Sequence, residues 1–444
     1  LVCGLVAGQP RGDHLEQLES IAWESAGGRD GRENRWADLV ALFEGVEAHR
    51  DAADAKVEEL IDVDNPDWGD RLSLGFMFQM VGDIEYHETN FVDPEMDYLG
   101  RDTPEERRVL FSDAEAIYID MLDGMDETGF IGRLQTLRES GAAFIPVPDE
   151  RTAMAYHRIL QELLSGSRKL TQMLDRRMLL SAERGDWRRF VDDLESMLWL
   201  AEVSAAPRVV SAHLFAIAGH SLALTRVRAA VLSRAVPTEV LDELARMLAA
   251  VRPIEFKDLL DAERVMLSVF LRELHDDEGR IRRDRVEQLF WAHELFTNEG
   301  EEAPLIDDLD LEDFPTLAAT ELKADQLWAE FVREVDAPSS ERWRSPIDVK
   351  ALTADWDRVD RLPGIVIPAL ATAERGHFQL ELTSEAVRSL VAIERFLGET
   401  GQLPSSLEIL VSDYLGRVPL DTLNDDTPLA YRLDDSDLGY VLYT

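Results

Sequence analysis

Six aspartates near the end of the chain, Asp421, Asp425, Asp426, Asp434, Asp435 and Asp437, are spaced closely enough to share a cation. Calcium takes about six to eight oxygens, mixing carboxylates and carbonyls on a flexible loop, so this cluster is a candidate calcium site. In a chain this rich in acid the same cluster also arises as a solvated loop, and both readings stand. Asp308, Asp310 and Glu312 have the alternating rhythm of a calcium loop, but Asp313 stands where such a loop turns on glycine. Asp62 and Asp64 are followed by Pro66, and both stretches read as solvated loops. His213 and His220 lie seven residues apart in an apolar run, hence on one helix face two turns apart. A metal ion usually takes ligands one turn apart with a carboxylate partner, so the expectation is a pair of hydrogen-bonded core histidines. The alternative is an enzyme with an unrecognised site around them. Glu85, His87 and Glu88 form no specific pattern, and no phosphate-cradling glycine run, nucleophile elbow or zinc-protease motif occurs. The chain therefore reads as having no catalytic residues.

The elements that must position these groups are mostly helices. Trp36, Leu39, Val40, Phe43 and Val46 recur at three- and four-residue steps, as one helix face does. Thr103 and Glu106 make a capping box for a following helix. From about residue 150 the pattern predicts two antiparallel helices turning at Arg184-Gly185-Asp186, the second lined by Phe190, Leu194, Met197, Leu198 and Ala201. Pro207 then opens a run apolar on nearly every side, which predicts a helix buried among others. Pro237 and Thr238 restart the chain. Helices are expected at about 314–336 and 346–361, and a long one from Ile365 to Gly398 bent at Pro368, where proline cannot donate the helical hydrogen bond. Its last part carries Leu382, Ala386, Val387, Leu390, Ile393 and Leu397 as a stripe.

The ending changes style. Ser405 and Glu408 have capping-box spacing, Gly416 is expected as a left-handed stop, and Pro419 blocks continuation of the short helix between them. Residues 428–433 and 438–443 alternate as two strands joined by Asp434-Asp435-Ser436-Asp437. The expected fold is mainly α: a multi-helix body of solenoid-like helix pairs, with a small C-terminal α+β module ending in an antiparallel β-hairpin. The regions are an N-terminal helical region with long acidic loops at 1–148, central helical hairpins at 149–298, and an acidic linker at 299–313. A C-terminal part at 314–444 contains the module from about 380.

Composition bounds the partners. With 45% hydrophobic and 30% charged residues the chain is globular, and its 444 residues suffice for more than one core. Lys and Arg number 46 against 88 Asp and Glu, a net charge of -42, which repels phosphates and excludes nucleic acid as the expected partner. Cationic partners, metal ions or a salty environment suit it better. Cys3 is the single cysteine, so no internal disulfide or cysteine-based zinc site is available. Apolar Leu1 to Gly8 reads as the tail of a removed signal or of a membrane anchor beginning upstream of Leu1. No other run is expected to be long and apolar enough to cross a bilayer.

Gly401, Pro404, Ser406, Leu407, Leu410, Val411, Tyr414, Leu415, Val418, Pro419 and Asp421, then Pro428, Leu429, Tyr431, Gly439, Tyr440 and Tyr443, carry a resemblance. This pattern resembles the C-terminal unit of uncharacterised planctomycete-type bacterial proteins, and that unit is similar to the globular end of type II secretion major pseudopilins. The turn containing Arg184-Gly185-Asp186 and the run from Pro363 to Arg375 resemble the planctomycete-type proteins as well. The pseudopilin likeness implies a shared module and a loop that holds calcium. Asp421-Thr422-Leu423-Asn424 replaces the usual Asp-Pro with following Gly, and no prepilin peptidase site precedes the unit. The expected function is a non-enzymatic scaffold or assembly subunit acting through protein partners or self-assembly. Its expected place is the cell envelope, facing the periplasm or anchored to the membrane, with a cytoplasmic place as the alternative. A component of a type II secretion or pilus-like filament, with a calcium-held loop, is the literal alternative.

Overall fold

The structure is a computed structural model that describes residues 12–25, 33–60, 104–140, 143–150, 152–251, 256–285, 315–335, 339–344, 367–411, 413–424, 427–434 and 439–443. The expected linker at 299–313, the helix at 346–361, Thr103 of the expected capping box, the apolar start, and the Asp62, Glu85 and Asp308 clusters lie outside these residues.

Helices dominate. In chain order they are α1 (Gly12–Ser25), α2 (Trp36–Leu60), α3 (Pro104–Glu127), α4 (Phe130–Ser140), α5 (Ala153–Arg184) and α6 (Trp187–Ala205). Then come α7 (Val210–Leu232), α8 (Thr238–Ala250), α9 (Phe256–Glu273), α10 (Leu317–Val335), α11 (Ser339–Arg344) and α12 (Ile367–Thr400). The expected mainly α body and terminal hairpin are both present.

Local chemistry sets the central hairpin. Thr152 caps α5 by accepting the Ala155 N–H, and Gly185 at φ 70° ends it while the Asp186 N–H returns to the Ser181 carbonyl. Asp186 then caps α6 by accepting the Arg189 N–H at 3.2 Å, so the turn falls at the three residues expected. Phe190, Leu194, Met197, Leu198 and Ala201 are all buried. α5 meets α2 closely at Gly166, where a methyl group would lie 2.2 Å from the Phe43 ring.

A buried ionic knot ties α3, α5 and α6 together. The Arg177 Nε donates to both Asp193 carboxylate oxygens at 3.1 and 3.2 Å, and Nη1 donates to the Leu122 carbonyl at 2.8 Å. Nη2 donates to Asp126 at 3.0 Å. Arg177 and Asp193 each expose 1% of their side chains, so this pairing replaces water entirely. Burial still holds the Asp193 carboxyl above the usual range, with Arg177 offsetting part of the shift.

Helix α7 packs against α5, α6, α9 and α12. It is long and apolar enough to cross a membrane, contrary to the expectation that no such run follows the chain's start; 44% of its most apolar window is buried inside the protein. Length and hydropathy of this kind also belong to a core helix. The largest core cluster runs from Leu15 on α1 to Tyr440 in the last strand. A second joins Val210, Phe256, Leu259, Trp328, Phe331 and Leu370 where α7, α9, α10 and α12 meet.

Two C-terminal expectations need correction. Pro368 does not bend a helix, because α12 starts at Ile367 and proline in a first turn lacks only an N–H that had no partner anyway. The short helix shrinks to one 3-10 turn, Leu407–Leu410, whose buried Leu407 and Leu410 match the three-residue period. The left-handed stop is Gly401 at φ 71°, which closes α12, and Gly416 is not in that region. Glu408 pairs with the Ser406 hydroxyl, which lowers its pKa.

Beyond this turn β1 (Leu420–Asp421) pairs with β2 (Thr427–Pro428), and β3 (Ala430–Leu433) pairs antiparallel with β4 (Tyr440–Tyr443). Tyr431 stands opposite Leu442 and Leu433 opposite Tyr440, so alternation puts Tyr431 and Tyr440 on one face. The Tyr440 hydroxyl donates to buried Glu394 of α12 at 3.0 Å, and Arg234 at the end of α7 reaches the same carboxylate. Tyr440→Phe is expected to cost about 1–2 kcal/mol, because Glu394 loses a donor in a buried place. Hydrogen exchange localised to residues 430–443 together with a lower Tm would register it.

Candidate functional site

Of the six aspartates, Asp425, Asp426, Asp435 and Asp437 lie outside the described residues. Asp421 sits in β1, is buried, and accepts the Leu423 N–H at 3.0 Å, which spends one of its oxygens on the local turn. The Asp434 N–H donates to the Gly439 carbonyl and closes the hairpin end. Among the described residues no three His, Cys, Asp or Glu side chains converge to hold a metal ion.

The histidines occupy the other concentration of chemical groups, where α7, α9 and α12 meet. His220 is buried and its Nδ1 lies 3.0 Å from the Ala216 carbonyl, one turn back on its own helix. That half of the hydrogen-bonded expectation holds. His213 departs from it: only 4% exposed, it finds no hydrogen-bond partner among the described residues for either ring nitrogen. Its ring leans on His377 of α12, with centroids 5.8 Å apart and planes 35° apart. His377 is also buried, and its Nε2 lies 3.4 Å from a Glu381 oxygen. Burial comes first in lowering both His213 and His220 to about 4; His377 and His220 add repulsion at His213. Both imidazoles are neutral at pH 7.

A residue the sequence reading missed governs how α7 begins. Val209 at the helix entry offers no capping side chain, and Glu263 of α9 supplies the acceptor, its Oε2 taking the Val210 N–H at 2.8 Å. Full burial raises this carboxyl to about 7, with the Val210 bond pulling the other way. No sequence signal marks it, since the partners are 53 residues apart.

The sign of the pH effect follows. A carboxyl at about 4.5 unfolded and about 7 folded binds more protons when folded, so its contribution to stability is full below about 4.5 and is lost as pH rises through 7. Glu263→Gln keeps an oxygen for Val210 and removes the titration. The variant is expected to gain on the order of 2 kcal/mol over wild type at pH 8 and nothing at pH 4.5, measured by urea unfolding at each pH.

Among the described residues Val46, Arg50, Met121, Met125, Lys169, Gln172 and Met173 line a cleft with a volume of about 20 Å³. That is room for roughly one water molecule.

Fold and site together describe a mainly α protein closed by a hairpin-bearing module. Compared with protein-family models, curated proteins and solved structures, the chain matches none.

Proposed function

We propose that this chain is a non-enzymatic helical scaffold or assembly subunit, working through protein contacts at the cell envelope, with its C-terminal module as the docking face. The observation that carries the reading is the module's mounting. Glu394 of α12 clasps Tyr440 while the Tyr431 hydroxyl donates to the Pro404 carbonyl at 2.8 Å, so the hairpin is held to the body by its inner face. Tyr443 on its opposite face is exposed at 49%, Leu433 at the end of the inner face at 53%, and Ile409 in the neighbouring turn at 47%. Large apolar side chains held rigidly in water favour association, because ordering them costs little at the moment of contact. The resemblance of this ending to a pseudopilin unit supports the same use of the module.

Light scattering and native mass spectrometry of the intact protein from its source test this. The expected result is a stable assembly whose affinity falls at least about tenfold in the Ile409→Asp, Leu433→Asp, Tyr443→Asp variant, with unchanged circular dichroism. A monomer that retains no partner, or an assembly indifferent to the three substitutions, would overturn the proposal.

A further inference from the structure

We propose that His213 and His377 form an acid-operated latch between α7 and α12, in which a proton entering the pair parts the two helices and frees α12 with the module it carries. The pair sits within the seam itself. Ile217, one turn beyond His213, lies where a methyl on Gly376 would touch it at 3.3 Å, so the two helices are in direct apposition beside the imidazoles. The Phe256 and Phe378 rings stand 6.5 and 6.2 Å from that of His377 and line the seam with apolar surface.

A proton on His213 meets no acceptor there, because neither ring nitrogen has a partner among the described residues. A proton on His377 gains Glu381 but places a cation against the His213 ring. A buried charge without a partner is costly, and the least disruptive relief is to let water into the seam. The surrounding charges do not remove this cost. On α7, His220 is itself buried and Arg226 is engaged by Asp175 of α5. On α9, Glu263 is bound to the Val210 N–H and Asp258 to Arg208. On α12, Glu374 is held by Arg342 of α11, and on α6 Glu202 lies at the surface. Among the described residues Glu381 alone stands within ion-pair distance of either imidazole.

The linkage has a definite sign. His213 held near 4 in the closed seam, against an ordinary value of about 6.5 when released, binds more protons in the open state. Closure is therefore favoured above about pH 6.5 and weakens as pH falls toward 4, and His220 acts in the same direction. Glu263 opposes both, so the Glu263→Gln background isolates the histidine response.

Hydrogen exchange of the intact protein, corrected for intrinsic rates, tests the latch between about pH 7.5 and pH 5. Residues 210–232 and 367–400 are expected to lose at least about tenfold protection on acidification while 153–205 keep theirs, more sharply in Glu263→Gln. The His213→Gln, His377→Gln double variant is expected to lose markedly less, keeping only the part that His220 contributes. Unchanged protection in the wild type, equal loss along the whole chain, or the same loss in the double variant would overturn the proposal. If the double variant does not fold, NMR titration of the His213 imidazole in the wild type decides: an apparent pKa below about 6 supports the latch, and any higher value overturns it.

Discussion

Arg177→Ala is expected to destabilise the folded chain by about 3–5 kcal/mol, the largest single effect among charged side chains here. The guanidinium is 1% exposed and satisfies Asp193, Asp126 and the Leu122 carbonyl at once. Removing it leaves Asp193 as a buried carboxylate without its partner, which then takes up a proton instead of staying charged. The effect is an asymmetry of pairing, because what costs is the orphaned partner. Arg177→Met combined with Asp193→Leu is therefore expected to recover most of the loss. Urea unfolding of the two variants makes the comparison, and a double variant as unstable as Arg177→Ala would show that the knot stabilises through its charges.

Gly166→Ala is expected to cost about 2–3 kcal/mol, although alanine is the better helix former by about 1 kcal/mol. The new methyl would fall 2.2 Å from the Cγ and Cδ2 of Phe43, a distance no pair of carbons adopts, so α2 and α5 must separate or the ring must leave the core. Phe43 is 6% exposed and belongs to the main cluster, and neither movement is free. Adding Phe43→Leu should restore part of the stability, because a smaller side chain admits the methyl. Thermal unfolding of the single and double variants reads both outcomes, and a Gly166→Ala protein with unchanged Tm would place Phe43 elsewhere in solution.

What could be read from the sequence was local. The Gly185 turn, the apolar character of α7 and the pairing of the last two strands are each written in neighbouring residues, and all three hold, although burial along the two strands does not alternate. The stripe of α6 was legible because burial repeats at the helix period. The failures share a different cause. Gly416 and the Ser405 box obey the rules of a helix terminus, but the Tyr414 and Leu415 N–H groups turn back to Leu410, and only one 3-10 turn survives. His213 looked like a satisfied core histidine because its partner, His377, comes from a distant helix. Glu263 gave no sign of itself, since an acid on an amphipathic helix is ordinarily solvent-facing, and its role depends on where α7 happens to start.

The cover over α7 comes late in the chain. Its neighbours α5 and α6 precede it, but α12 begins only at Ile367 and the strand that clasps α12 ends the described residues at Tyr443. During translation, therefore, the most apolar of the described helices stands uncovered on one flank until α12 has been made. Nascent chains stalled before that point present chaperones, or a nearby bilayer, with a helix flank that α12 covers in the folded structure.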